Sequence, residues 1–383
     1  MPTSNKTLHL IAHNVPYPPD NGGLIDVYYK VKALVEIGVS VVLHAFTYDR
    51  PTHPMLEKLC RKVYYYPRSL HWGLLFHFQP FIVAGRRSSL LLERLAADPY
   101  PVLCDAIHTT SYLGHPALLE KGMYLRAHNV EHSYYKGLGR ASKNPSRKLF
   151  YYLEAFKLRR YEKKLIHARG IFAISPGEKS HFEKYAPTWV IPPFHPHNLQ
   201  IPQVTQPFAL FHGNLSVEEN QWSVVWLLRK VWERPEVKGI PLWIAGNGSP
   251  TWLKRAIRET NSASLLEGLT TKEIMALVAR ARVHVLPAFQ STGVKLKLIA
   301  ALAKGLHIVA NPNMTKGSGL EEAVNTAETP EDFARLIAEK IDTPQLPNVE
   351  VERRLKIFET YLNNHFNAER IKICMELKGN EGE

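Results

Sequence analysis

Cysteine is scarce in this 383-residue sequence, which has only Cys60, Cys104 and Cys374. Three distant thiols make neither a disulfide framework nor a metal-ligand spacing, and they point to a reducing compartment and bland, buried roles. Long hydrophobic runs are missing too: no stretch reaches the roughly 20 apolar residues of a membrane-crossing helix. The opening run MPTSNK lacks the charged and apolar regions of a secretory signal. Low-complexity tracts and solenoid repeats are absent, as are zinc-finger spacings and RNP-type aromatics, which argues against a nucleic-acid partner. These absences lead to the expectation of a cytoplasmic chain.

What is present suits a folded protein of two domains. Apolar residues make up 45% and charged residues 22%, and the formal net charge is +13. Such a surface attracts phosphate-bearing small molecules or anionic lipid headgroups. The densest cationic stretch is 147–169. Short apolar runs alternate with helical spacing. In the first half, strands are expected at 8–13, 41–46, 63–66, 106–109, 123–127 and 170–174, with a helix at 24–37. In the second half, strands are expected at 208–212, 242–245, 283–287 and 307–311, with helices at 221–234, 251–259, 272–281 and 295–304. Repeated β-then-α order predicts two doubly wound α/β domains. The bounds expected are 1–196 and 207–350, joined by an aperiodic, proline-containing connector, with a helical segment at 351–383 packing back on the first domain.

Ligands of open α/β sheets sit beyond the carboxyl ends of strands, which selects five loops. The first, 13–23, ends in Gly22 and Gly23 at a helix start, where backbone amides can approach an anion or simply close a turn. The second, 126–132, packs Arg126, His128, Asn129, Glu131 and His132 together; His128 is a candidate for donating to a sugar hydroxyl or polarising a leaving group, or one histidine caps the next helix. The third holds Gly213 and Asn214, either a phosphate or sugar contact or an ordinary turn. The fourth, 245–250, contains Gly246 and Gly248 but lacks the third glycine of a dinucleotide fingerprint. The fifth, 287–297, passes through Thr292 and Gly293 to Lys295 and Lys297 in a helix's first turn. Cations there oppose the helix dipole at about 0.3–1 kcal/mol each, a cost that a bound diphosphate offsets. Two further segments read first as packed structure and second as lipid contacts: the basic, aromatic helix 148–169 and the apolar run 72–82.

Together these loops resemble the GT-B glycosyltransferases of family 4 over nearly the whole chain. The resemblance rests on 16–23, 126–131 and 173–175 in the first half, and on 213–216, 245–248 and 291–299 in the second. It implies two Rossmann-like domains facing across a cleft, retention of configuration, no bound metal and no cofactor beyond a GDP- or UDP-linked sugar donor. The acceptor, a saccharide or a lipid-linked one, is expected on the first domain at Gly22, Gly23, Arg126, Asn129 and Glu131, with His128 facing the donor sugar as the catalytic residue. The donor is expected on the second, with Thr292, Gly293, Lys295 and Lys297 on the diphosphate, and Asn214, Gly246 and Gly248 nearby. Bacterial members of this kind decorate surface polysaccharides, and a mannosyltransferase-like member is the nearest match. Peripheral contact with the inner face of a membrane fits the basic surface. One departure stands out: the Glu-x7-Glu pair of many relatives falls at Thr292 and Ala300, neither acidic, and Glu321 is the substitute carboxylate. That departure keeps a non-catalytic binding protein in view. A nucleotide-sugar epimerase is the next alternative; an NAD-dependent dehydrogenase is disfavoured.

Overall fold

The computed structural model describes residues 6–142, 144–289 and 294–377. The chain forms two compact units, Met1–Pro196 with Leu362–Glu383, and His197–Tyr361. Of the helical tail expected at 351–383, the part up to Tyr361 therefore lies in the second unit and only the rest joins the first. No helix among the described residues is long and apolar enough to cross a membrane.

In the first unit the strands are β1 (Thr7–Ala12), β2 (Ser40–Thr47), β3 (Lys62–Pro67), β4 (Val102–Asp105), β5 (Met123–Ala127), β6 (Gly170–Ala173) and β7 (Thr188–Val190). They form one parallel sheet in the order β3-β2-β1-β4-β5-β6-β7. Every residue of β1 is buried, as expected of a parallel strand covered on both faces. The Gly22–Glu36 helix starts at Asn21, whose side chain accepts from the Leu24 amide, an N-cap that satisfies one orphan donor. Its buried Val27, Val31 and Leu34 meet β1 and β2, and Ala368 and Ile371 of the Asn364–Cys374 helix complete that layer. The strand expected at 106–109 is a correction. The strand is Val102–Asp105; Ala106 takes φ 64° and turns the chain into a 3-10 turn, Ile107–Thr109.

The second unit repeats the plan with β8 (Gln206–His212), β9 (Leu242–Ala245), β10 (Ala263–Leu266), β11 (Ala281–Leu286), β12 (His307–Ala310) and β13 (Asn325–Thr326). Their order is β10-β9-β8-β11-β12-β13, with parallel pairing throughout. The helix expected at 221–234 is Glu218–Trp226, continued by a π turn at Leu227–Val231. Phe211, Val224, Leu227, Ile244 and Phe333 lie in its core. Each sheet reverses its direction of growth once, between β1 and β4 and between β8 and β11. At such switch points the loops diverge and leave room for a ligand.

Candidate functional site

The switch point of the first sheet is filled by charge. Asp26 and Lys30 lie one turn apart on the Gly22–Glu36 helix, both buried, with Nζ 3.1 Å from Oδ2. Asp105, the last residue of β4, pairs with the same ammonium. Its Oδ2 is 3.2 Å from His13 Nδ1 and its Oδ1 is 3.2 Å from His128 Nε2. One buried carboxylate thus compensates Lys30 and orients the imidazoles that follow β1 and β5. Burial alone would raise the Asp105 pKa, but Lys30 and His128 hold it well below the usual range, so it is ionised at neutral pH. Burial pushes His13 and His108 down, leaving both imidazoles neutral. His108 stands edge-on to His13, centroids 5.6 Å apart, and its ring nitrogens have no hydrogen-bond partner among the described residues. Glu131 opens the Glu131–Ala141 helix 3.8 Å from His108 Nε2. Its burial pushes its carboxyl up to about 7. Neutral imidazoles beside an acid that titrates near neutrality offer the donors and acceptors that sugar hydroxyls need.

Arg126, expected to face the acceptor, lies instead in the interior. Its guanidinium grips both Asp26 oxygens, at 3.1 and 2.7 Å, and donates to the Ile191 and Pro192 carbonyls. A buried Asp26 needs this counterion, so Arg126 ties β5 to the first helix and to the loop after β7. Gly23 abuts the histidine group: a Cβ there would stand 3.3 Å from His13 Cε1. Gly22 is the exposed first residue of the helix, and Asn129 is half-buried beside His128.

At the switch point of the second sheet, Lys297 Nζ donates to Asn220 Oδ1 at 2.8 Å and lies 5.0 Å from the centroid of the Phe211 ring. Lys295 Nζ is 3.5 Å from Glu219 Oε1. Burial lowers the Lys297 pKa from 10.5 to about 8, with Glu219 opposing and Lys295 adding to the fall. The turn after β8 packs against the turn after β9: a Cβ on Gly246 would meet the Gly213 carbonyl at 1.9 Å, and Gly248 has φ +83° with Ser216 beside it. Asn214 Oδ1 accepts from the Ser216 amide and hydroxyl at 2.9 and 2.7 Å, and its carbonyl accepts from Asn220 Nδ2 at 2.8 Å. A groove of about 1080 Å³ in this unit is lined by Pro241 and Ser262, at the amino ends of β9 and β10, away from this turn.

Residues 206–343 match the family described as Glycosyl transferases group 1. The second unit is a group 1 glycosyl transferase domain. The match begins with β8 and spans the whole of its sheet. A curated relative, the uncharacterized 44.6 kDa protein in the cps region of Klebsiella pneumoniae, is 29% identical over 334 residues, covering 81% of this chain and 84% of the relative. Among solved structures, S. aureus TarM, as a mutant in complex with Fondaparinux, alpha-GlcNAc-glycerol and UDP, aligns with TM-score 0.63 at 10% identity over 97% of this chain and 99% of TarM. A Rickettsia africae glycosyltransferase gives 0.58 at 12% over 97% and 98%. Anabaena HepE in complex with UDP and glucose gives 0.58 at 13% over 97% and 96%. At this identity the likeness concerns the fold, and it spans both units: the chain has the two-domain α/β fold of the GT-B glycosyltransferases.

Within the glycosyl transferase domain, Asn214, Gly246 and Gly248 come together at the ends of β8 and β9, and Lys295 and Lys297 reach Glu219 and Asn220 at the start of the helix that follows β8. Glu321 lies beyond β12, exposed, with Oε1 accepting from the Ser318 amide at 3.1 Å. Thr292 and Gly293 lie outside the described residues. Ala300, the expected position of the second acid, is buried in the Leu296–Lys304 helix. Sequence reasoning passed over Asn220, and in the first unit Asp105, Asp26, Lys30, His13 and His108. The missed signal for Asp105 was an acid ending the apolar run Val102-Leu103-Cys104, hidden by placing that strand four residues too late. Among the described residues, two groups have ligand-type atoms mutually within 4.8 Å: Asp26, Asp105 and His128, and His132, Glu162 and His181. The first already holds Lys30 and Arg126, whose charges balance its carboxylates. In the second, His132 Nδ1 and His181 Nε2 lie 2.7 and 3.0 Å from the two Glu162 oxygens.

Proposed function

We propose that this chain is a retaining glycosyltransferase that moves a hexosyl group, mannose being the first candidate, from a GDP- or UDP-linked donor to a saccharide or lipid-linked acceptor in surface polysaccharide synthesis, on the cytoplasmic side of the membrane. The observation that carries the reading is Lys297: a half-buried ammonium beside Lys295, at the switch point of a group 1 glycosyl transferase domain. An ammonium kept there at the cost of desolvation is explained by an anion that it meets. The cps-region relative and the UDP-containing structures of similar fold support the pathway and the donor class.

On this reading the donor diphosphate binds Lys295, Lys297 and the amides at the start of the Leu296–Lys304 helix, which stabilise its charge as the glycosidic C–O bond breaks. The acceptor hydroxyl attacks the anomeric carbon from the departing face, and its proton passes to the leaving phosphate oxygen. His128, held by Asp105, orients the donor sugar, while His108 and Glu131 contact acceptor hydroxyls. Glu321 takes the place of the missing acid at Ala300. The lysines supply the charge that a metal would, so turnover should persist in chelator.

The test pairs nucleotide binding with transfer, screened over GDP- and UDP-sugars. Lys297→Ala should weaken nucleoside diphosphate binding at least tenfold. His128→Ala should leave nucleotide binding within about twofold and abolish transfer, as expected for a group that acts on the transition state. Unchanged binding by Lys297→Ala would sink the donor assignment. A buried Ala300 in place of the acid favours one second reading, a non-catalytic nucleotide-sugar-binding protein; binding without transfer or donor hydrolysis across the screen would establish it.

A further inference from the structure

The first unit carries an apolar surface that the histidine and carboxylate group does not use. The Pro145–Tyr161 helix exposes Leu149, Tyr152, Leu153 and Phe156, a spacing that lays them along one stripe. Beside it runs the short 3-10 turn Trp72–Phe76. Lys157 Nζ donates to the Leu75 carbonyl at 2.6 Å, which fixes the turn to the helix, and the Phe81 amide, five residues past the turn, donates to Glu154 Oε2 at 2.7 Å. Trp72 is 68% exposed, Phe76 80% and Phe78 100%. Scattered exposed apolar residues need no account, but adjoining aromatics and leucines on one surface mark a contact face.

The surrounding charge has one sign. Between residues 132 and 169 the acids are Glu154 and Glu162, both buried, whereas Arg147, Lys148, Arg159, Arg160, Lys163 and Lys164 are exposed. From 58 to 92 the sequence contains no acid at all. A second copy of the chain would bring two wholly cationic rims together, which like-charge repulsion opposes. Protruding Trp and Phe side chains ringed by Lys and Arg match a bilayer interface, where aromatics settle at headgroup depth and cations meet lipid phosphates.

We propose that this face docks the chain on an anionic phospholipid surface, with Trp72, Phe76 and Phe78 entering the headgroup boundary and Arg159 and Arg160 on the lipid phosphates. The proposal is independent of sugar transfer and would hold for an inactive chain. The test is co-sedimentation of the full-length protein with phosphatidylcholine vesicles, with and without about one-third phosphatidylglycerol. Binding should require phosphatidylglycerol and fall as salt rises. Arg159→Ala with Arg160→Ala should weaken it about 25-fold, at about fivefold per cation. Phe76→Ser with Phe78→Ser should weaken it at least tenfold. These exposed side chains support no core, so the variants should keep the parent melting temperature and far-UV spectrum. Equal binding to neutral vesicles, no binding to either, or unaltered binding by both variants would overturn the proposal. So would a concentration-dependent dimer, or RNA binding, lost in the aromatic variant while vesicle binding stays intact.

Discussion

Deprotonation of Lys297 should loosen the donor site between pH 7 and 9. Its pKa lies at about 8 because burial penalises the charged form, a penalty that Glu219 reduces and Lys295 increases. If only the ammonium form binds a diphosphate, the apparent Kd scales as 1 + 10^(pH − pKa), near 1 at pH 7 and about 11 at pH 9. The expected loss for UDP or GDP is thus about tenfold, or about 1.4 kcal/mol. The nucleotide's own terminal phosphate is already ionised across this range, its second pKa being about 6. Isothermal calorimetry at fixed ionic strength measures the effect, and repeating it near pH 8 in buffers of different ionisation enthalpy should reveal proton uptake on binding. Lys297→Arg keeps its charge and should flatten the profile. The same shift acts on folding with a defined sign. A lysine whose folded pKa is lowered makes the unfolded chain bind more protons between pH 8 and 10.5, so the free protein gains stability as pH rises through that window. The desolvation cost below pH 8 is up to about 3 kcal/mol, and Lys297→Met should recover part of it while losing the nucleotide. A flat wild-type Kd from pH 7 to 9, or an equal rise in Lys297→Arg, would refute the reasoning.

Other perturbations separate structural from substrate-facing roles. Asp105→Asn takes one of two carboxylates from the buried Lys30 ammonium, leaving it Asp26, which Arg126 already grips, and releases His13 and His128; denaturant unfolding should show a loss of about 3–5 kcal/mol. His128→Ala, by contrast, should cost under about 1 kcal/mol by the same measurement, so comparable losses would contradict the assignment of Asp105 as the anchor. Gly246→Ala forces a Cβ onto the Gly213 carbonyl, 1.9 Å away, and should destabilise the protein by about 3 kcal/mol or more; a parent-like denaturation midpoint would show that the two turns do not pack as described.

Much of the fold was legible because a parallel strand buried on both faces announces itself as an apolar run. β5 and β9 fall at 123–127 and 242–245, as their Met123-Tyr124-Leu125 and Leu242-Trp243-Ile244 runs predict. The strands that escaped are short or half-buried: β7, β10 and β13 have no fully buried residue, so no run distinguishes them from loops. The lysine pair at 295 and 297 was visible as an electrostatic oddity, cations in a first turn, and that kind of conflict is local in sequence.

Sequence by itself determined most of the alternation of strands and helices and the cationic character of 147–169, since each depends on neighbours within a few residues. Only the tertiary structure decided which charges meet. Asp105 lies 75 residues from Lys30, and Arg126 lies 100 from Asp26; their pairing exists because β4 and β5 add to the sheet on the far side of β1. The same long-range closure turned Arg126 from a candidate ligand contact into a buried strut, because a charge taken from water must find its partner wherever the fold has placed it.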